Sequence, residues 1–85
     1  MNEELKVGDF ITVVKWINSS DRSYTTSILE IKAINENLIY CYVHNFCDIT
    51  TILDLHRVII KKLPLDFVES CGIKIKDMNP FKAIV

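Results

Sequence analysis

Residues 5–17 read Leu-Lys-Val-Gly-Asp-Phe-Ile-Thr-Val-Val-Lys-Trp-Ile, a Gly-Asp turn feeding a β-branched run that stops at an Asn/Ser/Asp cluster. Residues branched at Cβ lose rotamer freedom in a helix and suit a pleated, half-buried surface, so this run predicts a strand. The same grammar of apolar run and polar turn continues to Leu63, leaving hardly any room for a helix before Pro64. A chain of this kind has to build its core from strands. The expected fold is all-β, a five-stranded small barrel, because closure removes the exposed sheet edges that invite unwanted pairing.

The expected strands follow from the turn residues. Val7 to Ile17 is the first, with apolar residues on both parities, so one face is core and the other partly covered. Asn18-Ser19-Ser20-Asp21-Arg22-Ser23 is a polar turn cluster and the clearest exposed loop. Tyr24 to Ile34 is the second strand, with Leu29, Ile31 and Ala33 opposed to Glu30 and Lys32. Asn35-Glu36-Asn37 turns the chain into the third, Leu38 to His44, and Asn45-Phe46-Cys47-Asp48 is the next hairpin loop. Ile49 to Leu55 and Val58 to Leu63 complete the set, divided by a bend at His56-Arg57. Pro64 at the start and Gly72 at the end of the next stretch predict one short helix, with Leu65, Val68 and Cys71 as its apolar stripe. Ile73-Lys74-Ile75-Lys76 alternates and predicts an extra edge strand. The tail Phe81 to Val85 is apolar enough to pack on the barrel or to join a homodimer. Residues 1–63 are thus the barrel and 64–85 a helix and tail packed on it, within one domain.

Size and charge bound the function. An 85-residue domain buries only about 60–65% of its unfolded surface, and a hydrophobic fraction of 49% is ample for that core. No run of 18 apolar residues predicts a membrane span, and Met1-Asn2-Glu3-Glu4 is acidic where a signal peptide would be basic. Cys41, Cys47 and Cys71 are odd in number and form no Cys-x-x-Cys, which predicts reduced thiols in a cytoplasmic protein. A net charge of −1 argues against a dedicated nucleic-acid binder, although six basic residues fall in the last third and a local basic face is compatible with a neutral chain.

No catalytic constellation emerges. Cys41, His44, Cys47 and His56 carry zinc-ligand chemistry, but strand alternation sends Cys41 and His44 to opposite faces. A nucleophilic Cys71 would sit at the wrong end of its helix for a stabilised thiolate. With only Gly8 and Gly72, there is no phosphate-cradling loop. The expectation is a protein that is not an enzyme and uses no metal or cofactor.

Two binding candidates remain. Lys15, Trp16, Arg22, Tyr24 and Tyr42 lie on strands and loops expected to meet at one end of the barrel, where aromatic rings and cations suit stacking or cation–π contacts. Arg57, Lys61, Lys62, Lys74 and Lys76 form a separate basic candidate, suited to a phosphate backbone or an acidic partner.

The segment from Val7 to Leu63 resembles the Src-homology-3-like small barrels, a group that includes Tudor, chromo-barrel and KOW modules. Ile28-Leu29-Glu30-Ile31 followed by Tyr40-Cys41-Tyr42-Val43-His44 looks like the second and third strands of a chromo barrel. Where that family continues Leu-Asp-Glu-Trp, this chain has Ile52-Leu53-Asp54-Leu55. The resemblance implies a reader domain with an aromatic pocket for a modified peptide or nucleobase, built from Trp16, Tyr24 and Tyr42. The whole chain, with its Val-Gly-Asp opening, its Trp16 before an Asn/Ser/Asp loop and its Leu-Pro-x-x-Phe-Val close at 63–68, resembles the small accessory proteins of large tailed phages. That likeness implies a counter-defence factor that binds and inhibits or redirects a host protein such as a toxin, with RNA as a further partner, in the host cytoplasm. This second implication is the leading expectation.

Overall fold

The computed structural model describes residues 4–44 and 49–73. The expected extra strand beyond Ile73, the tail 81–85, Phe46, Cys47, Lys74 and Lys76 lie outside the described residues. Five antiparallel strands form one sheet: β1 (Phe10–Trp16), β2 (Leu29–Asn35), β3 (Leu38–Val43), β4 (Ile49–Asp54) and β5 (Val58–Lys62), followed by a short helix, α1 (Leu65–Ser70). The spatial order is β4-β3-β2-β1-β5.

Among the described residues the five strands expected for the barrel are present in the predicted sequence order, but the expected closure of the barrel is not formed. Among the described residues β4 pairs with β3 alone and β5 with β1 alone, so the two end strands are edges. The sheet is nevertheless strongly curled. Its end strands would stand about 19 Å apart if it were flat, yet the three-residue turn Leu55–Arg57 joins them, closed by Arg57 N–H donating to the Asp54 carbonyl at 2.8 Å. Curling is the only way such a turn can span the ends. Irregularities at Val14 on β1 and Lys32 on β2, each an extra residue in its ladder, add local twist.

Alternation then sorts the side chains. Ile11, Val13, Leu29, Ile31, Ile39, Cys41, Val43, Leu53 and Val58, drawn from all five strands, form one buried cluster on the inner face. A second, smaller cluster lies elsewhere: Phe10 and Ile28 pack with Val68 of α1, with Leu63 and Ile73 at its margin.

Three elements differ from expectation. The first strand begins at Phe10 and not at Val7, because residues 6–9 form a turn in which Asp9 N–H donates to the Lys6 carbonyl at 3.0 Å. The second strand begins at Leu29 and not at Tyr24, because residues 22–27 curl into successive turns: Thr25 N–H reaches the Arg22 carbonyl and Ser27 N–H the Tyr24 carbonyl, both at 3.2 Å. Tyr24 itself takes a positive φ of 66°. High strand propensity in Tyr-Thr-Thr loses to a loop that has to turn back. The predicted apolar stripe of the helix is also corrected. Val68 is its buried residue, whereas Leu65 and Cys71 are exposed, since one turn and a half of helix presents only one position squarely to Phe10 and Ile28.

Candidate functional site

The long connection between β1 and β2 folds back over the end of β1. Trp16 anchors it: the indole Nε1–H donates to the Ser23 carbonyl at 2.9 Å. Asp21 organises the tip, its Oδ1 accepting from Ser23 N–H at 2.8 Å and from the Ser23 hydroxyl at 2.6 Å. These bonds hold the Asp21 carboxyl below the usual carboxylate range, the Ser23 hydroxyl being the largest cause. Asn18, with φ of 56°, supplies a left-handed turn that asparagine tolerates well.

The turn between β4 and β5 arrives at the same place. Ile17 N–H donates to the Arg57 carbonyl at 2.8 Å, so Arg57 and His56 sit beside the end of β1. That turn is braced by Asp54, whose Oδ1 accepts from His56 N–H at 2.9 Å and from Asn37 Nδ2–H at 2.7 Å. Both bonds lower the Asp54 carboxyl, the His56 amide foremost.

Two open cavities flank Trp16 and share Ser19 and Asp21 in their walls. One, of about 360 Å³, adds Lys15, Arg22 and Thr25. The other, of about 440 Å³, adds Ile17, His56 and Arg57. Neither the Lys15 ammonium nor the Arg22 guanidinium has an ion-pair partner among the described residues. Arg57 has only a distant one, Nε to Asp54 Oδ2 at 3.9 Å, and its side chain is 77% exposed. Three cations without a close ion pair therefore line the two cavities that have Trp16 in their walls.

The structure regroups the predicted residues. Lys15, Trp16 and Arg22 do meet at one end. Tyr24 does not line these cavities. It packs against the inner core, and its carbonyl accepts from the Thr12 hydroxyl at 3.3 Å. Tyr42 lies on the outer face of β3, its ring edge-on to His44 at 4.7 Å and 6.0 Å from the Lys32 ammonium. Trp16, which packs against the inner cluster, and Tyr42 are on opposite faces of the sheet.

The basic candidate is also divided. Arg57 joins the Trp16 end, about 16 Å along β5 from Lys62. Lys61 and Lys62 are successive strand residues and point to opposite faces. Lys62 Nζ lies 3.4 Å from Asp9 Oδ2, which neutralises much of its charge.

Sequence reasoning missed two things. His56 belongs to the Trp16 end, which only the β4–β5 turn reveals. The outer face also holds an ionic cluster: Glu30, only 7% exposed, accepts from Lys32 Nζ at 3.0 Å and lies 2.8 Å from His44 Nε2. The alternation that set Glu30 and Lys32 on one side carried that signal, but it did not indicate that His44 would stand beside them. Cys41 is buried in the inner cluster, away from His44, and no group of three metal-ligating side chains occurs among the described residues. No described helix is long and apolar enough to cross a membrane.

Comparison with known proteins finds no match: no protein family, no curated protein and no solved structure.

Proposed function

We propose that the chain is a non-enzymatic binding protein that grips an acidic segment of a partner protein at the Trp16 end. The observation that carries this is the placing of Lys15 and Arg22 in one cavity and Arg57 in a second, both with Trp16 in their walls and with no strong ion pair to occupy the cations. An anchored tryptophan with arginines in the cavities beside it has the composition of an interface hot spot, where truncation of single residues costs most. The strand order, the long β1–β2 loop and the short β4–β5 turn support reading the fold as an incompletely closed Src-homology-3-like barrel, in which loops at one end do the binding. Resemblance to phage accessory proteins directs the search for the partner to a host protein, including toxins of host defence, met in the cytoplasm.

A protein partner fits better than RNA. Three cations interrupted by Asp21, on a chain of net charge −1, make a compact patch and not a stripe that tracks a phosphate backbone. The reader-domain alternative has less support, because its three aromatics do not converge.

The test is capture of partners from host lysate by the wild type, an Arg22→Glu/Arg57→Glu variant and a Lys61→Glu control, each with and without ribonuclease. The proposal expects one protein that survives ribonuclease, is lost at least tenfold with the double reversal and is kept by the control. Recovery that collapses with ribonuclease would make RNA the ligand. Equal recovery by all three proteins would remove the Trp16 end from consideration.

A further inference from the structure

The two edges of the sheet are not alike. β5 carries Lys61 and Lys62 and runs directly into α1, features that discourage pairing with another strand. β4 reads Ile-Thr-Thr-Ile-Leu-Asp: five uncharged residues, four of them β-branched, no proline, no lysine and a single charge at its end. Among the described residues its outer side meets no strand.

The hydrogen-bond phase shows which groups are open. Leu55 N–H donates to the Asn37 carbonyl at 2.7 Å, so Leu53, Thr51 and Ile49, in the same phase, bond to β3. Thr50, Ile52 and Asp54 then turn their backbone groups toward the open edge. The Asp54 carbonyl is taken by Arg57 N–H, but its own N–H and both groups of Thr50 and Ile52 are not engaged by β3.

From this phase and composition we infer that β4 is a homodimer interface, pairing antiparallel with β4 of a second copy about a two-fold axis through Ile52. In that register Ile52 meets Ile52, and Thr50 meets Asp54 at both ends. Opposed residues then share a face of the sheet, as antiparallel pairing demands. On the order of four intermolecular backbone bonds form without using the occupied Asp54 carbonyl. The charges favour self-pairing: the strand's only carboxylate falls opposite an uncharged threonine hydroxyl, and the two Asp54 side chains stand at opposite ends. Ile52, 55% exposed beside the 37% exposed Tyr40, supplies the apolar contact at the axis. A second copy pairs all of these open groups except the Thr50 N–H, whose partner would be the occupied Asp54 carbonyl, and because the contact is isologous it closes at two.

The interface is small, so the dissociation constant should be on the order of tens of micromolar. Sedimentation equilibrium of the full chain across that range tests it. The wild type should rise from 9.8 kDa toward twice that mass and stop there. Ile52→Lys, at an exposed position, should fold normally by circular dichroism and bind its copy at least tenfold more weakly. Ile59→Lys on the β5 edge should behave as wild type. A full-length Ile84→Glu variant separates this interface from one made by the tail and should also dimerise. A monomeric wild type throughout, an Ile52→Lys variant that dimerises normally, association lost in Ile84→Glu, or growth beyond the dimer would each overturn the inference.

Discussion

Cys41 and Cys71 show how far position alters one side chain. Cys41 is 1% exposed in the inner cluster, and burial pushes its thiol up to about 12, whereas Cys71 ends α1 in the open. A thiolate is the reactive form, so alkylation of the native protein near pH 8 should modify Cys71 and spare Cys41 until the chain unfolds. Peptide mass spectrometry reads this directly, and stoichiometric labelling of native Cys41 would contradict the assigned inner face. A raised pKa adds a sign: the neutral thiol's contribution is complete below about pH 9 and declines as pH climbs toward 12. Glu30 is the other residue that burial singles out. Its contact with the half-exposed Lys32 is worth about 0–1 kcal/mol, so its place rests as much on His44 and the packing of Phe10 against that ring at 5.6 Å.

At the scale of elements, the inner faces of the strands carry the fold. Ile31 is fully buried at the centre of β2, while Val14, at the β1 irregularity, is 51% exposed. Ile31→Ala should cost about 2–5 kcal/mol by lost transfer energy and cavity formation, lowering Tm by roughly 10 °C or more for a domain of this size. Val14→Ala should fall within about 0.5 kcal/mol of wild type. Thermal melts of the pair check the assignment, and equal effects would sink it. Element boundaries were less legible than element faces. The strand residues Leu29 to Ile31 and Ile39 to Val43 alternate so regularly that their inward sides can be read directly. The start of β2 was not readable, because Tyr24-Thr25-Thr26 has strand composition and only the folded loop gives it a turn.

For the whole molecule, the Trp16 end is held by two carboxylates from distant parts of the chain. Asp21 fixes the β1–β2 loop, Asp54 fixes the β4–β5 turn, and both titrate below the ordinary value of 3.8. A depressed folded pKa means stabilisation that is present above the unfolded pKa and lost as pH falls through the folded one. Acid should therefore loosen this end below about pH 4 while the core persists. Trp16 is the chain's one tryptophan, so its fluorescence reports the site alone. It should shift at a midpoint under 3.8, before far-ultraviolet circular dichroism changes. Fluorescence that stays flat to pH 2, or that tracks global unfolding, would show that the carboxylates do not hold the loop.

Among the described residues the sequence alone determined five strands in their chain order, the inward places of Leu29, Ile31, Ile39, Cys41 and Val43, one short helix and the polar loop after Trp16. These depend on two-residue alternation and on turn residues, both local properties of the chain. The irregularity at Lys32 sets Ala33 opposite Tyr40 and exposed, not on the side of Leu29 and Ile31 as simple alternation predicts. Tertiary structure decided what meets what. It left β4 and β5 unpaired with each other, carried Arg57 and His56 to Trp16, and put Tyr42 behind the sheet with Glu30 and His44. The reason is geometric: between irregularities, alternation fixes the side of the sheet on which a residue lies, whereas the curl of the sheet and the hydrogen bonds from Ile17 to Arg57 and from Trp16 to Ser23 fix its neighbours.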